Sequence, residues 1–266
     1  MNTAAADPVP GVVETAISSD DLIRLTAEIL TTADVPEVDA ERAAVMLVFA
    51  QESGLDSHGV AHLPSYVAAL ASGAVKARPH IRVESEFQAT CVIDADQALG
   101  PLAGLAACEL AAERASRFGI GLVAVRNSSH FGVASAFASH LADKGMVSLI
   151  LSNASATVAP RGSRTPLLGT NPIAAGFPRT DGAPVLIDFA TTAGARGRIR
   201  QAARDNRPIP RAWALDAEGR PTTDAVAALA GTMQALGGEK GAALPLLVEL
   251  LCVALSLVIR SATKGR

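Results

Sequence analysis

Aromatic residues are scarce in this 266-residue sequence, where they make up 3% of the chain as one Trp, one Tyr and seven Phe. Proteins that bind single-stranded nucleic acid stack the bases on aromatic side chains, so this scarcity disfavours that function. The formal net charge of −3 gives no electrostatic attraction to nucleic acid or to an anionic membrane surface. Neither nucleic acid nor a membrane is therefore a predicted partner.

Cysteine is also rare, because the chain has only Cys91, Cys108 and Cys252, and none of them belongs to a C-x-x-C pair. This pattern argues against a disulfide framework and against a zinc knuckle, and it predicts a reducing, cytoplasmic location. Residues 1–17 lack the basic segment of a signal peptide, and two prolines interrupt their apolar stretch. We interpret them as a flexible arm.

The usual nucleotide-binding fingerprints are missing as well. The sequence has no Walker A motif, and its match to G-x-G-x-x-A runs from Gly119 to Ala124. A dinucleotide fingerprint follows a strand and opens a helix, whereas this segment closes a predicted helix and opens a predicted strand. The Rossmann interpretation is therefore rejected.

The hydrophobic content of 49% is enough for one large α/β domain or for two lobes. Helical spacing of apolar residues and short apolar runs between turn residues predict the elements. Two helices are predicted to begin at Ser18 and near Pro64. Three others are predicted to span 39–51, 97–118 and 133–142. The predicted strands span 88–93, 121–125, 147–152, 173–177 and 185–189.

The most informative segment runs from Asn127 to Gly132 and has the sequence NSSHFG. It places His130 at a turn between a predicted strand and a predicted helix. Ligands of α/β proteins commonly bind at the carboxyl ends of strands, and an imidazole there can exchange a proton near neutral pH. Taken alone, such a histidine is about as often a capping or core group.

Six other motifs accompany this segment, and the seven together resemble the malate/L-lactate dehydrogenase family, which also holds ureidoglycolate and sulfolactate dehydrogenases and cyclic-imine reductases. These six are Asp56–Gly59 (DSHG), Gly169–Pro172 (GTNP), Asp188–Thr192 (DFATT), Ile209-Pro210 with Trp213–Asp216 (WALD), Pro221–Asp224 (PTTD) and Gly238–Gly241 (GEKG). The resemblance covers residues 20–256.

The resemblance implies an α/β protein with a helical N-terminal lobe at 18–118 and a cofactor-binding lobe at 119–256. The second lobe would be a non-Rossmann, nicotinamide-binding lobe with a largely antiparallel sheet. The implied reaction is hydride transfer between NAD or NADP and a small 2-hydroxy or 2-oxo acid. His130 would be the acid/base and His58 a second catalytic residue, Ser57 would bind the substrate in the same pocket, and the protein would be a homodimer.

His62 stands where family members commonly have an arginine that pairs with the substrate carboxylate. A histidine has a shorter reach and fewer donors, so weaker or altered substrate specificity is expected. His58 and His62 have the i, i+4 spacing of metal ligands, but no third ligand stands at a telling spacing, and no metal is predicted. Thr170 is a substrate-binding candidate, with a plain turn as the alternative.

The resemblance assigns the cofactor to Asp188, Phe189, Ala190 and Lys240. A carboxylate at a strand end accepts ribose hydroxyls, and a lysine between glycines approaches a phosphate or ribose. A helix cap at Asp188 and a solvated loop lysine are the structural alternatives.

The sequence departs from the family after residue 251, because the family continues through a further segment and this chain ends at Arg266 with a divergent tail at 257–266. A C-terminally truncated member is therefore expected. Residues 242–259 are predicted to form a core helix with one uncovered apolar face. The alternative to an active enzyme is a catalytically impaired paralogue that acts as a weak binding protein.

Overall fold

The computed structural model describes residues 16–263, with side chains to residue 256. Residues 1–15 of the predicted arm therefore lie outside the described residues, and of the predicted tail only the backbone of 257–263, which continues the last helix, is described. The helices are α1 (Ser19–Thr32), α2 (Glu37–Glu52), α3 (Leu63–Ala71), α4 (Gly100–Phe118), α5 (Ala134–Asp143), α6 (Arg196–Arg204), α7 (Ala225–Ala230), α8 (Gly238–Gly241) and α9 (Ala243–Thr263). The strands are β1 (Arg82–Phe87), β2 (Thr90–Ala98), β3 (Leu122–Ser128), β4 (Ser148–Leu151), β5 (Ile173–Phe177), β6 (Val185–Phe189), β7 (Ala214–Leu215) and β8 (Thr232–Met233).

The N-terminal helices form a small core with the start of α4. As predicted, Ser18 caps α1 by accepting a hydrogen bond from the backbone N–H of Asp21. Leu30 of α1, Leu47 of α2 and Tyr66 of α3 pack together with Leu99, which precedes α4. Because α3 is fixed in this core, the turns in front of it are also held in place.

The first sheet has the order β1–β2–β3, with β1 antiparallel and β3 parallel to β2. Strand β1 was not predicted because its sequence, RVESEF, alternates charged and apolar residues instead of forming an apolar run. The predicted strand start at Gln88 was wrong: Gln88 has a φ of 47° and belongs to the turn between β1 and β2. The predicted helix start at Gln97 was also wrong, because its φ of 60° lies outside a right-handed helix.

The second sheet, β4–β5–β6, is antiparallel throughout, and it confirms β5 and β6 at their predicted bounds. One face of this sheet packs on α5. Alternate positions of a strand share one face, and the residues that form the opposite face of this sheet are all apolar. Its members in β4, β5 and β6 are Leu149, Leu151, Ile173, Ala175, Phe177, Val185, Ile187 and Phe189.

Helices α6 and α7 and the short β7–β8 pair form a second core around Ile199, Ile209 and Met233. Helix α9 confirms the apolar helix predicted over 242–259, and Leu246, Leu247, Leu250 and Val253 on it are exposed as expected. Across residues 16–263, no helix is both long and apolar enough to cross a membrane.

Candidate active site

Three histidines from two separate parts of the chain meet in one place. His58 and His62 lie on consecutive short 3₁₀ turns that precede α3, and His130 lies in the loop between β3 and α5. The ring centroids of His62 and His130 are 4.3 Å apart with nearly parallel planes, and the ring of His58 is 5.9 Å from that of His130. The structure therefore brings together the histidines that the sequence singled out.

Close backbone packing holds the His130 loop. The N–H of Gly100, at the start of α4, donates to Ser129 Oγ at 3.0 Å. A Cβ at position 100 would collide with the carbonyl oxygen of His130, so only glycine allows α4 to approach this closely. The position of the imidazole thus depends on the start of a long, well-packed helix.

Tyr66 is a site residue that sequence reasoning missed, because it was predicted only as a core residue of the third helix. Its side chain is 4% exposed, and its Oη lies 3.0 Å from His130 Nδ1 and 3.1 Å from the His130 carbonyl oxygen. Burial raises the pKa of Tyr66, so the phenol stays protonated. One available signal was its i, i+4 spacing from His62, which places both residues on one side of the start of α3.

The surroundings of His130 favour its neutral form. Loss of water around the ring, followed by the nearby charges of His62 and His58, lowers the pKa of His130 to about 4, although the residue retains contact with solvent. Burial and His62 also lower the pKa of His58, and Asp188 opposes this shift. At pH 7, His130 is therefore a base.

Ser57 and Asp188 complete the polar part of the cluster. Ser57 Oγ lies 2.9 Å from His58 Nδ1, and Asp188 is close enough to raise the pKa of that histidine. One carboxylate oxygen of Asp188 also accepts the backbone N–H of Ser135, in the first turn of α5, at 2.8 Å. Asp188 thus caps a helix from a distant segment, whereas the sequence alternative placed the cap ahead of Thr191.

The Gly169–Pro172 turn has a structural role. The carbonyl oxygen of Thr170 accepts hydrogen bonds from the N–H and the hydroxyl of Thr191, at 2.8 and 2.9 Å. The neighbouring Asn171 is fully buried, and its amide bonds to Ala154, Pro245 and Glu249. Among the described residues, no hydrogen bond joins the Thr170 side chain to the histidines, so its assignment to substrate stays a prediction.

The histidines stack on one another rather than converging on a point. Within residues 16–263, no group of three or more His, Cys, Asp or Glu side chains is arranged to hold a metal ion.

Lys240 is exposed on α8, and no hydrogen bond or ion pair in the described part of the chain links it to the histidine cluster.

The donor set suits a nicotinamide dinucleotide. Asp188 is exposed near the end of β6, so its carboxylate can accept hydrogen bonds from ribose hydroxyls. Ala190 is exposed just after the strand, whereas the Phe189 side chain lies on the opposite, outer face of the sheet. Lys240 is exposed and follows Gly237 and Gly238, which have positive φ values of 67° and 64°. Because these two residues have no side chains, a ligand can approach the backbone next to the Lys240 ammonium. An ammonium there can neutralise a phosphate.

The fold and the named relatives together define an α/β oxidoreductase of the NAD(P)-dependent 2-hydroxy-acid dehydrogenase class, with NAD or NADP as its cofactor. The chain belongs to the malate/L-lactate dehydrogenase family, whose sequence profile matches residues 17–263. The recognition made from the seven motifs is thereby confirmed.

Individual relatives and solved structures agree with this family. The chain is 40% identical over 235 residues to an L-sulfolactate dehydrogenase of Methanothermobacter thermautotrophicus, an alignment that covers 88% of this chain and 69% of the relative. It is 43% identical over 232 residues to a (2R)-3-sulfolactate dehydrogenase (NADP(+)) of Chromohalobacter salexigens, with 87% and 69% covered. The crystal structure of a delta1-piperideine-2-carboxylate reductase from Pseudomonas syringae pvar. tomato superposes with a TM-score of 0.86 at 36% identity, and 91% of this chain and 74% of that one are covered.

Proposed function

We propose that this chain transfers a hydride between NAD(P) and the C2 carbon of a small 2-hydroxy or 2-oxo acid, with His130 as the general acid/base. The observation that carries the proposal is the cluster of His58, His62 and His130. Loss of water around the ring and the two neighbouring histidines lower the pKa of His130, which keeps it neutral and able to accept a proton. In oxidation, His130 takes the hydroxyl proton of the substrate. In reduction, it returns that proton to the developing alkoxide.

His58 would be a second catalytic residue beside His130, and the other residues would hold the two reactants. Ser57 and His62 would bind the substrate carboxylate by hydrogen bonds, and Thr170 would shape the far side of the pocket. Asp188, Phe189, Ala190 and Lys240 would hold the cofactor, which supplies or accepts the hydride when it is bound. Correct positioning of the two reactants accounts for much of the rate of such a reaction.

Isothermal titration of the purified protein with NADH and NADPH is the first test. Dissociation constants in the micromolar range are expected, because Asp188 and Lys240 offer the ribose and phosphate partners described above. Lys240→Gln is expected to weaken binding of the favoured cofactor about tenfold, since it removes one charge-assisted contact. A folded sample that releases no heat with either cofactor would favour the weak binding protein over the enzyme.

The pH dependence of the reaction follows from the lowered pKa of His130. Because that pKa is about 4, the neutral base needed for oxidation predominates above pH 5 and is lost as the pH falls through 4. We expect kcat/KM for hydroxy-acid oxidation to be constant from pH 5 to 7. Over the same range kcat/KM for 2-oxo-acid reduction should fall about tenfold per pH unit, because that direction requires the protonated imidazole. A reduction rate that does not change from pH 5 to 7 would contradict this assignment.

We also infer that the protein is a homodimer in the cytoplasm. The outer face of the β4–β5–β6 sheet supports the dimer, because it is wholly apolar and exposes large side chains. Leu149 on β4 is 65% exposed, and Ile187 on β6, on the far side of Ala175, is 47% exposed. The cysteines Cys91, Cys108 and Cys252 are all unpaired, which suits a reducing compartment.

Introducing charge on that face is expected to separate the subunits. The double variant Leu149→Glu with Ile187→Glu should behave as a monomer in size-exclusion chromatography with light scattering, because two buried carboxylates per subunit have no partner in the interface. Val226→Glu is the matched control, since Val226 is 64% exposed on α7, away from the sheet. A double variant that stays dimeric would place the interface elsewhere.

A further inference from the structure

A cavity of about 260 Å³ opens beside His62 and His130. Its wall beyond the two imidazoles is formed by the ring of Tyr66 and by the side chains of Ala69 and Val75. Apolar carbon therefore faces the space into which the rest of a substrate would extend when its carboxylate lies at the histidines. Hydrocarbon gains free energy by leaving water for such a wall.

The cavity has no cation to meet a second acidic group. Its other lining residues, Ser65 and Ser129, offer only hydroxyl groups, and no Lys or Arg lines it within the described residues. The ammonium of Lys76, next to Val75 in sequence, is bound to Asp96 at 2.6 Å. A second carboxylate or sulfonate placed in this cavity would lose water without gaining an ion pair, which is costly.

We propose that the substrate is a monoanionic 2-oxo acid or cyclic 2-imino acid with a small uncharged side chain. This proposal rests on the proposed function, because it assumes that the substrate carboxylate lies at the histidine cluster. The proposed substrate differs in charge from sulfolactate, the acid named for two relatives, because sulfolactate has a second anionic group.

The test compares 2-oxobutyrate, pyruvate, oxaloacetate and sulfopyruvate as substrates with reduced cofactor, and it measures their dissociation constants by calorimetry. We expect kcat/KM to be at least tenfold higher for 2-oxobutyrate than for either dianion, and binding to show the same order. Tighter binding of a dianion, or no binding of any of the four acids, would overturn the proposal. Binding of the monoanions without turnover would support it and contradict the acid/base role of His130 instead.

A charge-specific variant sharpens the comparison. Ser65 lines the cavity from an exposed position on α3, so the protein should tolerate a longer side chain there. Ser65→Lys is expected to raise kcat/KM for oxaloacetate relative to 2-oxobutyrate at least tenfold, and Ser65→Met, of similar length but without charge, should leave the ratio unchanged. An equal response to Lys and Met would show that charge does not set the preference.

The hydrogen bonds of the Tyr66 hydroxyl to His130 support a second, independent proposal. A hydroxyl has one proton to donate, and a carbonyl oxygen can only accept, so the proton of Tyr66 is directed to the carbonyl oxygen of His130. The bond between Tyr66 Oη and His130 Nδ1 then requires a proton on Nδ1. The geometry points to Tyr66 as a positioning residue that fixes the Nδ1–H tautomer of His130 and leaves Nε2 free to exchange a proton with substrate.

Nitrogen-15 NMR of the histidine side chains tests this directly, because the two neutral tautomers have distinct shifts. His140 is an internal reference of the opposite kind, since its Nε2 lies 2.8 Å from a carboxylate oxygen of Glu109, which favours the Nε2–H tautomer when neutral. Variants His130→Gln and His140→Gln assign the signals. We expect the Nδ1–H form for His130 in the wild type and a mixture in Tyr66→Phe, with kcat about tenfold lower and KM nearly unchanged. An Nε2–H signal for His130 in the wild type would overturn the proposal.

Discussion

Replacing His130 by glutamine is expected to lower kcat by a factor of about 10² to 10⁴, because it removes the group proposed to exchange a proton with the substrate. Glutamine keeps the polarity and approximate size of the side chain but cannot act as an acid or a base near pH 7. The dissociation constant of the cofactor should change less than threefold, since Asp188 and Lys240 are untouched. Steady-state kinetics and calorimetry on the same preparation give both values.

His140→Gln is the matched control for this prediction. His140 lies on α5 and is bonded to Glu109 on α4, outside the cluster, so its loss should leave kcat within a factor of two. Equal activity of His130→Gln and the wild type would rule out His130 as the acid/base. A loss of activity shared by both variants would instead indicate damage to the α4–α5 packing.

The sequence predicted the histidine cluster from motifs, and the structure shows why composition and spacing alone were not enough. His58 and His130 are separated by more than seventy residues, and they are brought together by the packing of α4 against the His130 loop and by the hydrogen bonds of Tyr66 to His130. No local pattern encodes that contact. The family motifs supplied it because each motif marks a segment whose place in the fold is already known.

Strands were predicted best where the sequence forms a short apolar run. Strands β5 and β6 were predicted at their observed bounds, since both are largely apolar runs between turn residues. Strand β1 was missed because its alternate positions carry Arg82, Glu84 and Glu86, which form ion pairs with neighbouring elements instead of a continuous apolar surface. The role of Tyr66 was missed as well, because a tyrosine in a helix is ordinarily a core residue and its spacing from His62 was a weak signal.

The apolar helix α9 illustrates how a residue that looks misplaced in sequence can be explained by structure. Glu249 interrupts an otherwise apolar run, and its two carboxylate oxygens accept hydrogen bonds from Asn153 and Asn171 at 3.1 and 2.9 Å. Asn171 also donates to the Pro245 carbonyl oxygen at 2.8 Å and accepts from the Ala154 N–H at 3.0 Å. One buried amide therefore ties the β4–β5 connection and the start of β5 to α9.

Asn171→Ala is accordingly expected to lower the free energy of unfolding by about 2–4 kcal/mol, because it leaves a buried N–H, a carbonyl and part of a carboxylate without partners. Urea denaturation followed by circular dichroism measures this change. Asn153→Ala is the matched control: it removes a hydrogen bond to the same carboxylate from an exposed residue, so its effect should stay below about 1 kcal/mol. If the two variants lost equal stability, Glu249 would be the important partner and the buried amide would not be the link between these segments.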